Sequence, residues 1–122
     1  MEYMFRGIDA VGNKKWVYGD LVHNKKITET GLEDRVMVGG YEVVLESVGL
    51  WTGLKDKNGK EVFEGDWILL EGVGVFNVRY SVSMCQFGLY GENGFVDALK
   101  VLQTDRYEVV GTVFKNKELL ER

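Results

Sequence analysis

The sequence predicts an all-β protein: an antiparallel meander followed by a small barrel, with at most one or two short helical turns. Three observations carry this. The chain has 122 residues with 16 glycines and no proline, so its reversals must be closed by Gly, Asn and Asp residues that tolerate positive φ. Short runs of β-branched and aromatic residues recur between turn signals. Asn58-Gly59 is the strongest short-range hairpin signal in the chain, because a type I′ turn needs positive φ at both central residues.

Taken in order, YMFRGID (3–9) reads as an opening strand and AVGN (10–13) as a turn. Trp16, Val17 and Tyr18 resume the strand, Gly19-Asp20 interrupts it, and Leu21, Val22 and His23 continue it. Asn24-Lys25-Lys26 reads as another turn, and residues 28–40 (TETGLEDRVMVGG) as a loosely patterned excursion. YEVVLES (41–47) is a strand by its Tyr and Val content. From Val48 the turns come quickly: Val48–Leu54, Glu61–Phe63 and Trp67–Leu70 are strands, with a sharp corner at Glu64-Gly65-Asp66. GVG (72–74) turns into the alternating run Val75–Tyr80, and GENG (91–94) follows Phe87–Tyr90. Successive hairpin-sized segments with short loops are the pattern of a small antiparallel barrel, filled by Trp51, Phe63, Trp67, Phe76 and Tyr80. The apolar positions of 95–102 fit a helical face about as well as a strand, with a short helix preferred. Tyr107–Phe114 is the last strand, and KNKELLER ends the chain as a helical turn or two with Asn116 as N-cap.

Composition narrows the function classes. One domain spanning 1–122 is expected, with subregions 1–47 and 48–122. Cys85 is the only cysteine, so no internal disulfide forms, and its expected place is as a small buried hydrophobe. No apolar run approaches the ~20 residues of a membrane span, and the acidic start lacks the bases of a signal peptide, so a cytoplasmic location is expected. The formal charge of −4 disfavours sequence-independent nucleic-acid binding, which relies on neutralising phosphates.

The motifs fit ordinary structural roles better than chemical ones. Counted from Asp56, a calcium loop would need an oxygen ligand, glycine and glutamate where Lys60, Glu61 and Trp67 stand. No Gly-Lys-Ser/Thr follows for a phosphate loop. Glu61, Glu64 and Asp66 are acidic neighbours, but Asp66 fits better as a cap for its own corner. His23 is the sole histidine and has no nucleophile in register with it. No His/Cys/Asp spacing suits a metal. The expectation is therefore no enzyme, no catalytic residue and no cofactor.

The stretch GNKKWVYGDLVHNKK (12–26) keeps one alternative open. Lys14, Lys15, Lys25 and Lys26 flank Trp16 and Tyr18, and basic residues beside exposed aromatics can bind single strands by backbone neutralisation and stacking. Lysines at strand edges also serve simply as protection against aggregation.

FRGIDAVGNKKWVYGDL, ESVGLWTGLKDKNGKEVFEGDWI and YEVVGTVFKNKELL resemble, in order and spacing, three blocks of the YopX-like family of phage and prophage proteins. The resemblance implies an all-β fold with an SH3-like barrel in the C-terminal part. It also implies a phage or prophage gene in a bacterial host, and no established activity. Thr52, Gly53, Leu54, Asp56, Gly59, Gly65 and Asp66 would then be fold determinants. The function expected is a non-enzymatic interaction module that binds a host or phage protein or a second copy of itself, with nucleic-acid binding as the alternative.

Overall fold

The computed structural model describes residues 3–98 and 106–112. It is almost entirely antiparallel β-structure, as the turn chemistry predicts. The chain divides into two compact units, Met1–Leu50 and Trp51–Arg122.

In the first unit, β1 (Phe5–Ile8) pairs with β2 (Trp16–Gly19) from Phe5↔Gly19 to Ile8↔Trp16. The loop between them is folded by Asp9, whose carboxylate accepts the Val11 and Gly12 N–H groups at 3.0 and 3.1 Å. These amides, Gly12 first, hold the Asp9 carboxyl below its ordinary pKa. β3 (Leu21–Thr28) and β4 (Gly31–Val38) then form a hairpin in unbroken register from Leu21↔Val38 to Thr28↔Gly31, and β5 (Tyr41–Glu42) adds on the far side of β4.

Two expectations fail here. Residues 28–40 are no excursion, because most of them form β4, and Asn24-Lys25-Lys26 is no turn, because β3 runs through it. The reversal instead sits at Glu29-Thr30, where the Thr28 hydroxyl donates to the Gly31 carbonyl at 2.9 Å and accepts the Thr30 N–H at 3.3 Å. Glu33 and Asp34 face Lys26 and Lys25 across the ladder, which makes a polar segment acceptable within a strand.

The strand expected over 41–47 is likewise cut short. After β5 only the single bridge Asp9↔Val43 remains, and Leu45–Ser47 coil into a 3₁₀ turn. Ser47 explains the coil: its hydroxyl donates to the Val44 carbonyl at 2.6 Å and accepts the Ile8 N–H at 2.7 Å. Val36, Val38 and Val43 form the buried cluster of this unit, with Phe5, Val17, Leu21 and Val48 packed against it.

β6 (Gly49–Lys55) supplies Leu50 and Gly49 as partners for Phe5 and Arg6 in the first unit. In the second unit it pairs with β7 (Glu61–Phe63) at Trp51↔Phe63 and Lys55↔Glu61. The corner between them is not the type I′ turn expected. Gly59 has φ +79 but Asn58 does not share a positive φ. Instead Asp56 organises the corner: its carbonyl accepts the Gly59 N–H at 3.0 Å, and Oδ1 accepts the Asn58 and Lys60 amides, each at 2.9 Å. A left-handed glycine after such a turn leads back into the returning strand.

β8 (Asp66–Leu70), β9 (Gly74–Ser81), β10 (Gln86–Gly91), β11 (Gly94–Ala98) and β12 (Tyr107–Thr112) make a five-stranded sheet in the order β11-β10-β9-β8-β12. Asp66 caps its corner as expected, accepting the Phe63 N–H at 2.8 Å. Residues 94–98 are strand where a helix was preferred, because pairing with β10 sets Phe95 edge-on to Tyr90 at 5.6 Å. Residues 99–102 and the expected C-terminal helical turns lie outside the described residues, as do the last two residues of the expected strand 107–114.

The buried cluster of this unit is mostly aliphatic: Val62, Ile68, Val78 and Leu89 with Tyr107. Of the aromatic residues expected to fill it, Phe63 is buried and Phe76 packs at the edge, while Tyr80 is exposed and lies edge-on to Phe87. Cys85 also departs from expectation. It is exposed, in the turn after β9, with φ 51.

No closed barrel forms among the described residues, although the all-β class holds. The β6–β7 hairpin meets β12 through a latch instead of a ladder. The Lys57 N–H donates to the Tyr107 carbonyl at 3.0 Å, the Val109 N–H to Asp56 Oδ2 at 2.9 Å, and the Tyr107 hydroxyl to the Lys55 carbonyl at 3.2 Å. Three hydrogen bonds, one of them to a carboxylate, stand where barrel closure would need a run of strand pairing.

Candidate functional site

A concave surface lies within the first unit, beside the middle of the β3–β4 hairpin. It is a groove of about 630 Å³ lined by His23, Asn24, Lys25, Asp34, Arg35, Val36, Glu42, Val43 and Leu45. Strand alternation explains its composition. Leu21, His23, Lys25 and Ile27 share one face of the hairpin with their partners Val38, Val36, Asp34 and Leu32. The part nearest the strand ends is buried as the valine cluster. The part nearest the hairpin tip projects beyond that cluster and carries Ile27 at 86% exposure opposite Leu32 at 67%.

The other face is polar. Arg35 Nε donates to Asn24 Oδ1 at 2.6 Å, Asn24 Nδ2 lies 3.5 Å from Met37 Sδ, and Lys26 Nζ meets both Glu42 oxygens at 2.9 and 3.1 Å. On the groove side Lys25 Nζ meets Asp34 Oδ1 at 2.9 Å, in an exposed pair. The hairpin is thus held by its backbone ladder, flanked by ion pairs from Lys25 and Lys26, and ends in an unburied aliphatic pair. Chemically this offers contact: apolar area, exchangeable surface charge and one imidazole. Among the described residues, no group of three His, Cys, Asp or Glu side chains could hold a metal.

The residues singled out in the sequence are dispersed. Lys14 and Lys15 are exposed in the loop before β2, with Lys14 at φ 57. Trp16 is half-buried, and the Arg6 guanidinium lies over its ring at 4.4 Å from the centroid. Tyr18 is exposed on β2. Lys25 and Lys26 belong to a different sheet, point to its opposite faces, and are each paired with an acid. What sequence reasoning missed was Asp34, Arg35 and Glu42 as their neighbours. A signal for two of the contacts was present: a reversal at Glu29-Thr30 sets Lys25-Lys26 against Glu33-Asp34.

The acids near the Glu64-Gly65-Asp66 corner are also dispersed. Glu64 accepts the Tyr80 N–H at 3.3 Å, Asp66 is buried at its corner, and Glu61 pairs across from Lys55.

Comparison with known proteins matches residues 4–121 to the YopX protein family. The chain belongs to the YopX family. The match spans both units, which fits the resemblance of the three sequence blocks. Among curated proteins, no match to this YopX-family chain was found. Among solved structures, protein EF1440 from Enterococcus faecalis superposes with a TM-score of 0.60 at 22% identity, covering 98% of this chain and 99% of that one. That likeness is one of fold. In the described residues, no helix is long and apolar enough to cross a membrane.

Proposed function

We propose that this YopX-family chain is a non-enzymatic protein-interaction module of phage or prophage origin, acting in the bacterial cytoplasm, with the β3–β4 hairpin as its contact surface. The observation that carries the reading is the Ile27–Leu32 pair, left in solvent at the end of a hairpin with unbroken register. Burying each such side chain against a partner is worth roughly 1.5–3 kcal/mol. Nothing in the pairing or packing of the hairpin requires these residues to be apolar. The surrounding ion pairs give the polar rim that protein interfaces commonly place around an apolar centre.

The nucleic-acid reading draws support from exposed Lys14, Lys15 and Tyr18. It is the weaker one, because Lys25 and Lys26 already face carboxylates and the Trp16 ring is covered by Arg6.

The test is a tagged pull-down from host lysate, with and without nuclease, comparing the native chain with an Ile27→Asp/Leu32→Asp variant. A discrete protein captured by the native chain, lost in the variant and indifferent to nuclease is the expected result. Nucleic acid recovered only without nuclease, and lost on charge reversal of Lys14 and Lys15, would replace this reading with the other.

A further inference from the structure

Among the described residues the sheets end on β2, β3, β5, β7, β11 and β12, and of these β3 is the longest at eight residues. Strand edges are commonly blunted by shortness, bulges, proline or lysine. β11 and β12 both carry register irregularities, and the others have four residues or fewer. β3 has neither bulge nor proline, and its two lysines are held in ion pairs with Asp34 and Glu42. The charge that would guard this edge is neutralised within the same chain.

The backbone shows which groups are left over. The Val43 N–H donates to the Val36 carbonyl, so Val36 and its alternates direct their polar groups toward β5, while Arg35 and Met37 direct theirs toward β3. Val22, Asn24 and Lys26 answer those bonds. Leu21, His23, Lys25 and Ile27 therefore point their N–H and C=O groups outward, and among the described residues β3 pairs with β4 alone.

We propose that β3 pairs antiparallel with β3 of a second copy of this chain, about a twofold axis at Asn24. This rests on the reading of the hairpin as a contact surface and names its partner. Opposed residues in an antiparallel pair share a face, so a symmetric pairing must match odd with odd and even with even positions. With the axis at Asn24, Leu21 faces Ile27, His23 faces Lys25 and Val22 faces Lys26. All the outward backbone groups are then used. An axis at Lys25 would set lysine against lysine, and an axis at His23 would leave Ile27 beyond the pairing. In the chosen register Ile27 of one copy covers Leu21 of the other, and Leu21 already packs on the valine cluster. The exposed Ile27 thereby extends the apolar cluster of its neighbour, and the sheet becomes continuous through β5, β4, β3 and their symmetry mates.

The test uses the full chain with Cys85→Ser, so that no native thiol interferes. Sedimentation should give twice the chain mass. An Asn24→Cys variant should form an interchain disulfide under mild oxidation, because Asn24 meets its own mate at a close, non-hydrogen-bonded position. Lys25→Pro removes an outward N–H and should halve the mass with the circular dichroism unchanged. Should that variant misfold, Ile27→Glu gives the same reading without touching the backbone. A single-chain mass at the highest soluble concentration overturns the proposal. So does a dimer that neither variant disturbs, or one that forms no Asn24→Cys disulfide. A single-chain species that still captures a host protein through Ile27 and Leu32 overturns self-pairing and leaves the interaction reading in place.

Discussion

Replacing Asp56 by alanine would strand three amide donors, those of Asn58, Lys60 and Val109. Losing three bonds to a charged acceptor, with the donors only partly open to water, costs roughly 2–4 kcal/mol, readable as a lower urea midpoint. The same carboxylate makes stability depend on pH. Burial pushes its pKa up, but the three amides, Val109 foremost, and the Lys60 charge outweigh burial and hold it below the ordinary value. A pKa depressed in the folded state gives stabilisation that is complete above the unfolded value of about 4 and lost as pH falls through the folded one. Urea midpoints should therefore drop below about pH 4, and Asp56→Asn should flatten that drop. Its neighbour Tyr107 moves the other way: burial, then the nearby Asp56 charge, pushes the phenol pKa up. The two lysine pairs differ in the same terms. Lys25→Ala, which removes an exposed pair, should change stability by less than about 0.5 kcal/mol. Lys26→Ala removes a half-buried pair with both Glu42 oxygens and should cost about 1 kcal/mol, less in high salt.

Elements in this chain are positioned by a few close backbone approaches. At the junction of β3, β4 and β5, Gly39 has φ +59, and a Cβ there would collide with the Tyr18 carbonyl. A side chain at Gly39 is thus excluded twice, by conformation and by backbone. Gly39→Ala should destabilise by roughly 2–4 kcal/mol in thermal or chemical melts. At the opposite end of the hairpin the expectation reverses. Ile27→Asp and Leu32→Asp touch nothing that holds the fold, so stability should stay within about 0.5 kcal/mol while partner capture disappears. The contrast shows what the sequence could convey. The corners at Glu64-Gly65-Asp66 and residues 72–74 were legible because a turn residue acts locally. The hairpin 21–38 was not, since Asn24-Lys25-Lys26 reads as a strand only once Glu33 and Asp34 are known to lie opposite. Residues 95–98 were ambiguous for a similar reason: a short apolar run takes its period from the strand it joins. Of the candidate site, the sequence marked Lys25 and Lys26 but not the acids that neutralise them, because those contacts exist only in register.

For the molecule as a whole, the all-β class followed from glycine usage and turn spacing. The open sheet did not, because closure depends on pairing between distant segments. The two units differ in how far apart in sequence their contacts lie. The valine cluster of the first unit is assembled from residues within the first fifty, whereas the Asp56 latch joins positions 53 residues apart. At a synthesis rate of about 5–20 residues per second, Asp56 would wait roughly 3–10 s for Val109 to be made. Through that interval the β6–β7 hairpin exists on the ribosome without its partner strand. A nascent chain halted before Tyr107 should therefore protect the first unit from protease and leave the second open to cleavage. Release of the finished chain, more than the making of any single strand, then sets the moment at which the second unit becomes resistant.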